Sequence, residues 1–287
     1  MRQLNYELSR LVRTHREGSF STQAARSRIL SQCADELHEL GFRKLASTGL
    51  KVKHVEGLVA HWHRRGLSAG TIKNRMAHLR WWAGKVGRPG VVRKDNDSYG
   101  IAHRQYVTNV DRSARLDERL NEIRDDYTRV SLQLQAAFGL RREEAIKFQP
   151  SYADKGDRLV LKPSWTKGGK AREIPIRTDD QRQALKAAYA LAGRGSLIPP
   201  NKMFIEQLKV YERRTTQAGF SKLHGLRHAY AMRRYEELTG RKPSALGGPK
   251  RSNLSDEERE KDAEARLVLS RELGHERLEI VAVYVGS

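Results

Sequence analysis

Along STQAARSRILSQCADELHEL, Ala24, Ile29, Cys33, Leu37 and Leu40 recur at roughly helical intervals behind capping residues, which predicts an amphipathic helix. A second helix is predicted through VKHVEGLVAHWHRRG, stopping at Gly66. A third, LSAGTIKNRMAHLRWWAGKVG, starts near Ser68. In the third, Ile72, Met76, Leu79 and Trp82 make one apolar face, and Lys73, Arg75, Arg80 and Lys85 lie largely off it. The first ninety residues therefore read as a small helical bundle with a basic face. Residues 88–112 mix Pro, Gly, Asn and Asp with cations and read as a linker. Helices are expected again in LDERLNEIRDD and YTRVSLQLQAAFGL. Two short apolar runs in DRLVLKPSWTKGGKAREIPI then flank Gly168-Gly169, a hairpin signal. Further helices are expected at 179–193, 201–218 and 224–239. After the loop TGRKPSALGGPKRSN, a helix opens with Ser255 and Glu258 as a capping box and stops at Gly274. The final ERLEIVAVY reads as one more short helix. The pattern predicts a mainly helical chain with a small antiparallel sheet, divided into 1–108 and 109–287.

Charge narrows the partners. Among 287 residues, 55 Lys and Arg against 34 Asp and Glu give a net charge of +21. Residues 1–110 carry +12 and residues 111–287 carry +9, so both parts favour a polyanion. Nucleic acid leads, and an anionic membrane surface is the weaker alternative. No apolar run is long enough to span a bilayer, and the N-terminus lacks the apolar core of a secretory signal. Cys33 is the only cysteine, which excludes an intrachain disulfide framework and suits a reducing cytoplasm.

Four places carry candidate chemistry. In FGLRREEAIKF, Arg141 and Glu144 are three apart, and an Arg held by a Glu can present its remaining donors rigidly to an anion. In TKGGKA, Lys167 and Lys170 both qualify chemically to reach a phosphate or release a proton. In KLHGLRHAYAMRRY, His224, Arg227 and His228 offer imidazole and guanidinium together, a phosphate site with a possible general base. At the end, His275 comes just after the Gly274 stop, and Tyr284 nine positions later.

Taken in order, GLRREE, TKGGKAREIP, HGLRH and LGHERLEIVAVY resemble the motifs of the tyrosine recombinases, the phage-type integrases. The resemblance covers residues 113–287 well. Residues 1–108 are similar only in kind, to a helical core-binding domain. It implies a C-shaped clamp on DNA, and a site-specific recombinase that integrates or excises a mobile element through a 3′-phosphotyrosine and a Holliday junction. The catalytic set would be Arg141, Lys167, His224, Arg227, His275 and Tyr284. Arg141 and Arg227 would clamp the scissile phosphate, Tyr284 attack it, His224 take the phenol proton and His275 bond the phosphate. Lys167, with Lys170 as fallback, would protonate the leaving 5′ oxygen. Glu144 would orient Arg141, and His228 brace its helix. Lys73, Arg75, Arg80, Lys85, Lys170 and Arg172 would contact DNA, Arg172 having a structural role as its other option. No metal or other cofactor is expected. The partners implied are double-stranded recombination sites, a homotetramer in the synapse (monomer or weak dimer when free) and an accessory directionality factor, in a bacterial cytoplasm at the nucleoid.

Two departures stand out. Arg227 and His275 are 48 positions apart, longer than the family's usual interval, with the excess placed at 240–264. Only three residues come after Tyr284, where many relatives continue into a tail helix that docks on the next protomer. Protomer contacts are then expected from 240–264 or the extreme N-terminus, and Tyr284 from a segment that moves in and out of the site. The alternatives are a type IB topoisomerase-like enzyme, and a non-catalytic DNA-binding protein that keeps the fold.

Overall fold

The computed structural model describes residues 2–275 and 277–287, which divide into two compact units, Met1–Gln105 and Tyr106–Ser287.

The first unit is built on four helices: α1 (Gln3–Thr14), α2 (Phe20–Glu39), α3 (Val52–Arg64) and α4 (Ala69–Lys85). Ser19 and Ser68 accept from the amides of Thr22 and Thr71 and so start α2 and α4. Helix α1 precedes the three that periodicity picks out. Its Leu4, Leu8 and Val12, spaced by four, are buried against the bundle. In α2 the inward face is Ile29, Leu30, Cys33, Ala34 and Leu37, while Ala24 is exposed. The apolar face expected of α4 is fully realised, with Ile72, Met76, Leu79 and Trp82 all buried. Burial pushes the Cys33 thiol up to about 12, which makes it an inert core residue. One buried carboxylate stitches the bundle: Glu36 accepts from Trp62 Nε1 at 2.7 Å and from Arg75 Nη1 at 2.8 and 3.0 Å.

The second unit adds α5 (Asp126–Phe138), α6 (Arg142–Ile146), α7 (Pro150–Ala153), α8 (Asp179–Ala192), α9 (Phe204–Gln217), α10 (Gly225–Thr239), α11 (Asp256–Leu273) and α12 (Ala282–Val285). Strands β1 (Arg158–Leu161) and β2 (Arg172–Pro175) pair antiparallel, with Arg158 opposite Pro175 and Leu161 opposite Arg172. Helix α5 runs through the middle, packed by α8, α10, α6 and α9. The strand connection is longer than a two-residue hairpin. It includes a 3-10 turn at Pro163–Trp165, with Trp165 buried, before Gly168 and Gly169 turn the chain at positive φ. The helix expected in LDERLNEIRDD is only a 3-10 stretch, Glu118–Glu122. There Asp117 accepts from both the amide and the guanidinium of Arg119, and such local side-chain bonds compete with a helical backbone. Among the described residues, no helix is long and apolar enough to cross a membrane.

Candidate active site

Helix α5 ends at Gly139, which adopts φ +61°, and a Cβ there would lie 2.6 Å from the Tyr230 ring. Glycine is therefore required both by conformation and by space. Its carbonyl oxygen accepts from Arg227 Nη1 at 2.6 Å. Two residues on, Arg141 sits just before α6 rather than on it. The Glu144 carboxylate accepts from the Arg141 amide at 2.7 Å and from its Nη1 at 2.8 Å. The pairing expected along one helical face is thus a helix-capping contact.

Glu144 is 0 % exposed and also receives Arg172, at 2.9 Å from Nη1 and 2.6 Å from Nη2. Arg172 is 7 % exposed, and its Nη1 donates in addition to the Leu273 carbonyl at 3.2 Å. That corrects its placement among DNA contacts: Arg172 is an internal tie between α6 and the end of α11. The alternation along β2 carried the signal, because Arg172 lies on the same face as buried Ile174, and Glu173 and Pro175 lie on the other. Burial raises the pKa of Glu144, but its ion pair with Arg172 and the charges of Arg227 and Arg141 outweigh this, and the carboxyl stays below its usual range.

His224 immediately precedes α10, and Arg227 and His228 occupy the first turn. Arg227 is 1 % exposed. Its Nη2 donates to the Leu273 carbonyl and faces His275 Nε2 at 3.4 Å, and its Nε donates to the Tyr284 hydroxyl at 3.3 Å. Gly274 closes α11 at φ +65° and delivers His275, whose Nε2 lies 3.2 Å from the same hydroxyl. Arg227 offers only donors, so the lone pair of His275 Nε2 faces it and the ring proton belongs on Nδ1. The Tyr284 hydroxyl, 5 % exposed on α12, then donates to His275 and accepts from Arg227. His228 packs against the Tyr284 ring at 4.7 Å between centroids, and His224 stands at 6.1 Å. The Nδ1 of His228 is buried and has no hydrogen-bond partner among the described residues.

Burial, and after it the nearby positive charges, keeps these imidazoles neutral. Burial first, then the charges of Arg227, Arg141 and Arg172, push His275 down to about 3. Burial first, then His224, Arg112 and Arg227, push His228 down to about 4. His224 is lowered by burial and then by Arg227 and Arg141. Burial also pulls Arg227 down to about 10, so it is still a cation at neutral pH. Neutral imidazoles beside a phenol and two cations make a site suited to taking a phenol proton and holding an anion.

An open cleft of about 1210 Å³ gathers Arg141, Lys167, His224, His275 and Tyr284 on its lining, together with Lys170 and Arg172. Arg227 lies beneath. All six residues of the expected catalytic set therefore converge. The expected DNA contacts of the first unit fare differently. Arg75 is taken up by buried Glu36, Arg80 donates to the Arg93 and Asp95 carbonyls and to Asn96, and Lys85 pairs with Glu17. Lys73 is half-exposed. The backbone acceptors at Gly139 and Leu273 escape sequence reasoning, since no side chain marks them.

A family model described as phage integrase, N-terminal, matches residues 1–89, and one described as integrase matches residues 102–233. The chain belongs to the phage-integrase family, the tyrosine recombinases. The matched stretches hold Arg141, Lys167, His224 and Arg227; His275 and Tyr284 lie beyond them. No curated protein sequence matches this integrase-family chain. Solved structures share its fold at low identity. A Tn1549 transposon integrase in complex with circular intermediate DNA is 12% identical, with 100% of this chain and 96% of that one covered and a TM-score of 0.56. A lambda integrase dimer on a core site, residues 75–356, is 14% identical over 98% and 94%, at 0.60. The XerH recombinase in a post-cleavage complex is 15% identical over 98% and 80%, at 0.57.

Proposed function

We propose that this protein is a site-specific DNA recombinase that cuts and rejoins duplex DNA through Tyr284. The observation that carries the reading is a tyrosine hydroxyl bonded to Arg227 and His275, in a cleft that Arg141, Lys167 and His224 also line. In this reading Tyr284 Oη attacks the scissile phosphorus. The P–O5′ bond breaks, and a 3′-phosphotyrosine forms. Arg141 and Arg227 hold the non-bridging oxygens as charge gathers there, and loss of one such donor typically costs about 10²–10³ in rate. Lys167 gives its proton to the departing 5′ oxygen, with Lys170 on the same cleft as the alternative donor. The phenol proton goes to one of two neutral imidazoles. The family resemblance favours His224, and the hydrogen bond to the Tyr284 hydroxyl favours His275. A 5′ hydroxyl of a partner strand then attacks the phosphotyrosine, forming the new P–O bond and releasing Tyr284. The phosphodiester energy is conserved in the protein–DNA bond, so the cycle proceeds without ATP or a metal ion.

A lambda integrase tetramer on a Holliday junction shares this fold, at 14% identity and a TM-score of 0.55. It supports a four-protomer synapse here. Nicked duplex carrying the DNA that flanks the gene tests the reading, in EDTA, on a denaturing gel. Wild type should give a slow covalent band and Tyr284→Phe none, with DNA binding retained. A band that survives in Tyr284→Phe, or that needs a divalent metal, overturns the mechanism. Tight binding without any band in wild type would mark an accessory DNA-binding protein instead.

A further inference from the structure

Helix α12 has four residues, too few to hold itself by its own hydrogen bonds. The three residues after Tyr284 are instead gripped by parts of the chain outside the proposed catalytic set. Val285 is fully buried, and its carbonyl oxygen accepts from Ser244 Oγ at 3.3 Å. The Gly286 carbonyl accepts from Arg266 Nη1 at 3.0 Å. The Ser287 amide donates to Asn109 Oδ1 at 2.9 Å. Gly286 itself sits at φ +85°, and a Cβ there would run into Ser244 Oγ and lie 2.6 Å from Asn109 Oδ1 and 2.8 Å from the Ala245 amide nitrogen. Three consecutive residues are thus each held, and the backbone between them fits only glycine.

The seat is itself built. Ser244 and buried Ala245 form a short 3-10 turn, Ser244–Leu246, between α10 and α11. Arg266 is anchored by Asp262, Nε to Oδ2 at 2.7 Å. Asp262, fully buried, also accepts from the Tyr235 hydroxyl at 2.6 Å and pairs with Arg251 at 3.3 Å. One arm of the Arg266 fork holds the core and the other holds the residue two past the nucleophile. These contacts come from the Arg227–His275 interval and from the segment before α5.

We infer that Asn109, Ser244 and Arg266 are positioning residues that fix Tyr284 in the active site of its own protomer. The long interval between α10 and α11 supplies the seat. The placement stands on the contacts alone; its consequence for catalysis rests on the recombinase reading.

The test uses the full-length chain with 3-fluorotyrosine at position 284, read by fluorine NMR, in Gly286→Val and in Asn109→Gly/Ser244→Ala. The double variant removes two side-chain bonds without strain, because glycine suits the positive φ of Asn109. Wild type should show one solvent-shielded resonance. Both variants should show an added exposed resonance at a nearly unchanged melting temperature. On nicked DNA, covalent complex formation should fall about tenfold to a hundredfold, with non-covalent affinity unchanged. Asn109→Asp, which keeps the acceptor, should restore it. If Gly286→Val misfolds, the double variant decides. Unchanged fluorine spectra overturn the seat. Altered spectra with an unchanged cleavage rate overturn the positioning role. Wild type forming no covalent complex defeats the recombinase reading, and the fluorine spectra still decide the seat.

Discussion

Glu144→Gln should destabilise the second unit far more than an ordinary polar substitution. The carboxylate is 0 % exposed and serves four donor contacts, two from Arg141 and two from Arg172. Glutamine keeps the shape but presents an NH₂ to one arm of the Arg172 guanidinium. It leaves that buried cation uncompensated. Removing one member of a buried ion pair costs about 3–5 kcal/mol. The amide oxygen still accepts one bond, which places the loss near the low end. At about 2–4 °C per kcal/mol for a domain of this size, the melting temperature should fall by roughly 6–12 °C, read by circular dichroism on the full-length protein. Removing both charges is the control. Glu144→Gln/Arg172→Met should recover a large part of the loss, because an apolar side chain of similar length can replace a buried guanidinium without a stranded charge. The pair should show coupling of about 1–3 kcal/mol in a double-mutant cycle. The folded-state pKa of Glu144 is depressed, so its contribution is present above the unfolded value of 4.5 and is lost as pH falls through the folded one. Glu144→Gln should flatten that acid limb. A melting temperature within about 2 °C of wild type, or a double variant as unstable as the two singles summed, would refute the buried network.

The same geometry sets three further outcomes. His275 and His228 are depressed to about 3 and about 4 from 6.5, so they bind protons more weakly when folded. Stability should decline as pH drops from 6.5 towards those values, and His275→Asn should make the decline shallower in melts taken across that range. Gly139→Ala should cost about 2–5 kcal/mol by chemical denaturation, from its left-handed φ and the Tyr230 ring combined. Gly156→Ala, at φ +88° in open space, should cost only about 1–2 kcal/mol; equal losses would remove the steric argument. If about eight phosphates are neutralised per protomer, log affinity should fall against log salt with a slope near roughly −7. Arg172→Met should leave that slope alone, since a buried arginine releases no counterions, and a slope of about −1 in wild type would refute extensive backbone contact.

What the sequence revealed, and what it hid, divides along the separation of interacting partners. Helices α2 and α4 were legible because their caps and apolar stripes are local: Ser19 and Ser68 each act three residues ahead. The six residues of the candidate site were legible as candidates because each sits in a short motif whose order along the chain is distinctive. Helix α1 carried a signal in Leu4, Leu8 and Val12 but has no side-chain cap to announce it. The fates of the cations were not legible. Arg75 looks like part of a basic face until Glu36, 39 positions away, is folded against it, and Arg172 reads as a DNA contact until Glu144, 28 positions away, closes on it. A charge count cannot tell a cation held inside from one left outside, because that depends on non-local pairing.

The two phosphate-binding arginines proposed here are compensated in different ways, and the difference bears on function. Arg141 leans on a full negative charge, Glu144, which that carboxylate also shares with Arg172. Among the described residues, Arg227 makes no hydrogen bond to a carboxylate. Its donors go to the Gly139 and Leu273 carbonyls, at the C-terminal ends of α5 and α11. A helix end of this kind carries about half a negative charge, and two of them meet the buried guanidinium. Folding thereby offsets the cost of desolvating Arg227 through carbonyl dipoles, with Glu144 acting on it through its field rather than by a hydrogen bond. The Tyr284 hydroxyl and His275 complete its coordination, on the side where the proposed mechanism puts a phosphate oxygen. In that mechanism a phosphate's anionic oxygen replaces a neutral hydroxyl on donors already fixed in direction. Little reorganisation is left for the transition state, which is where preorganised donors have their effect.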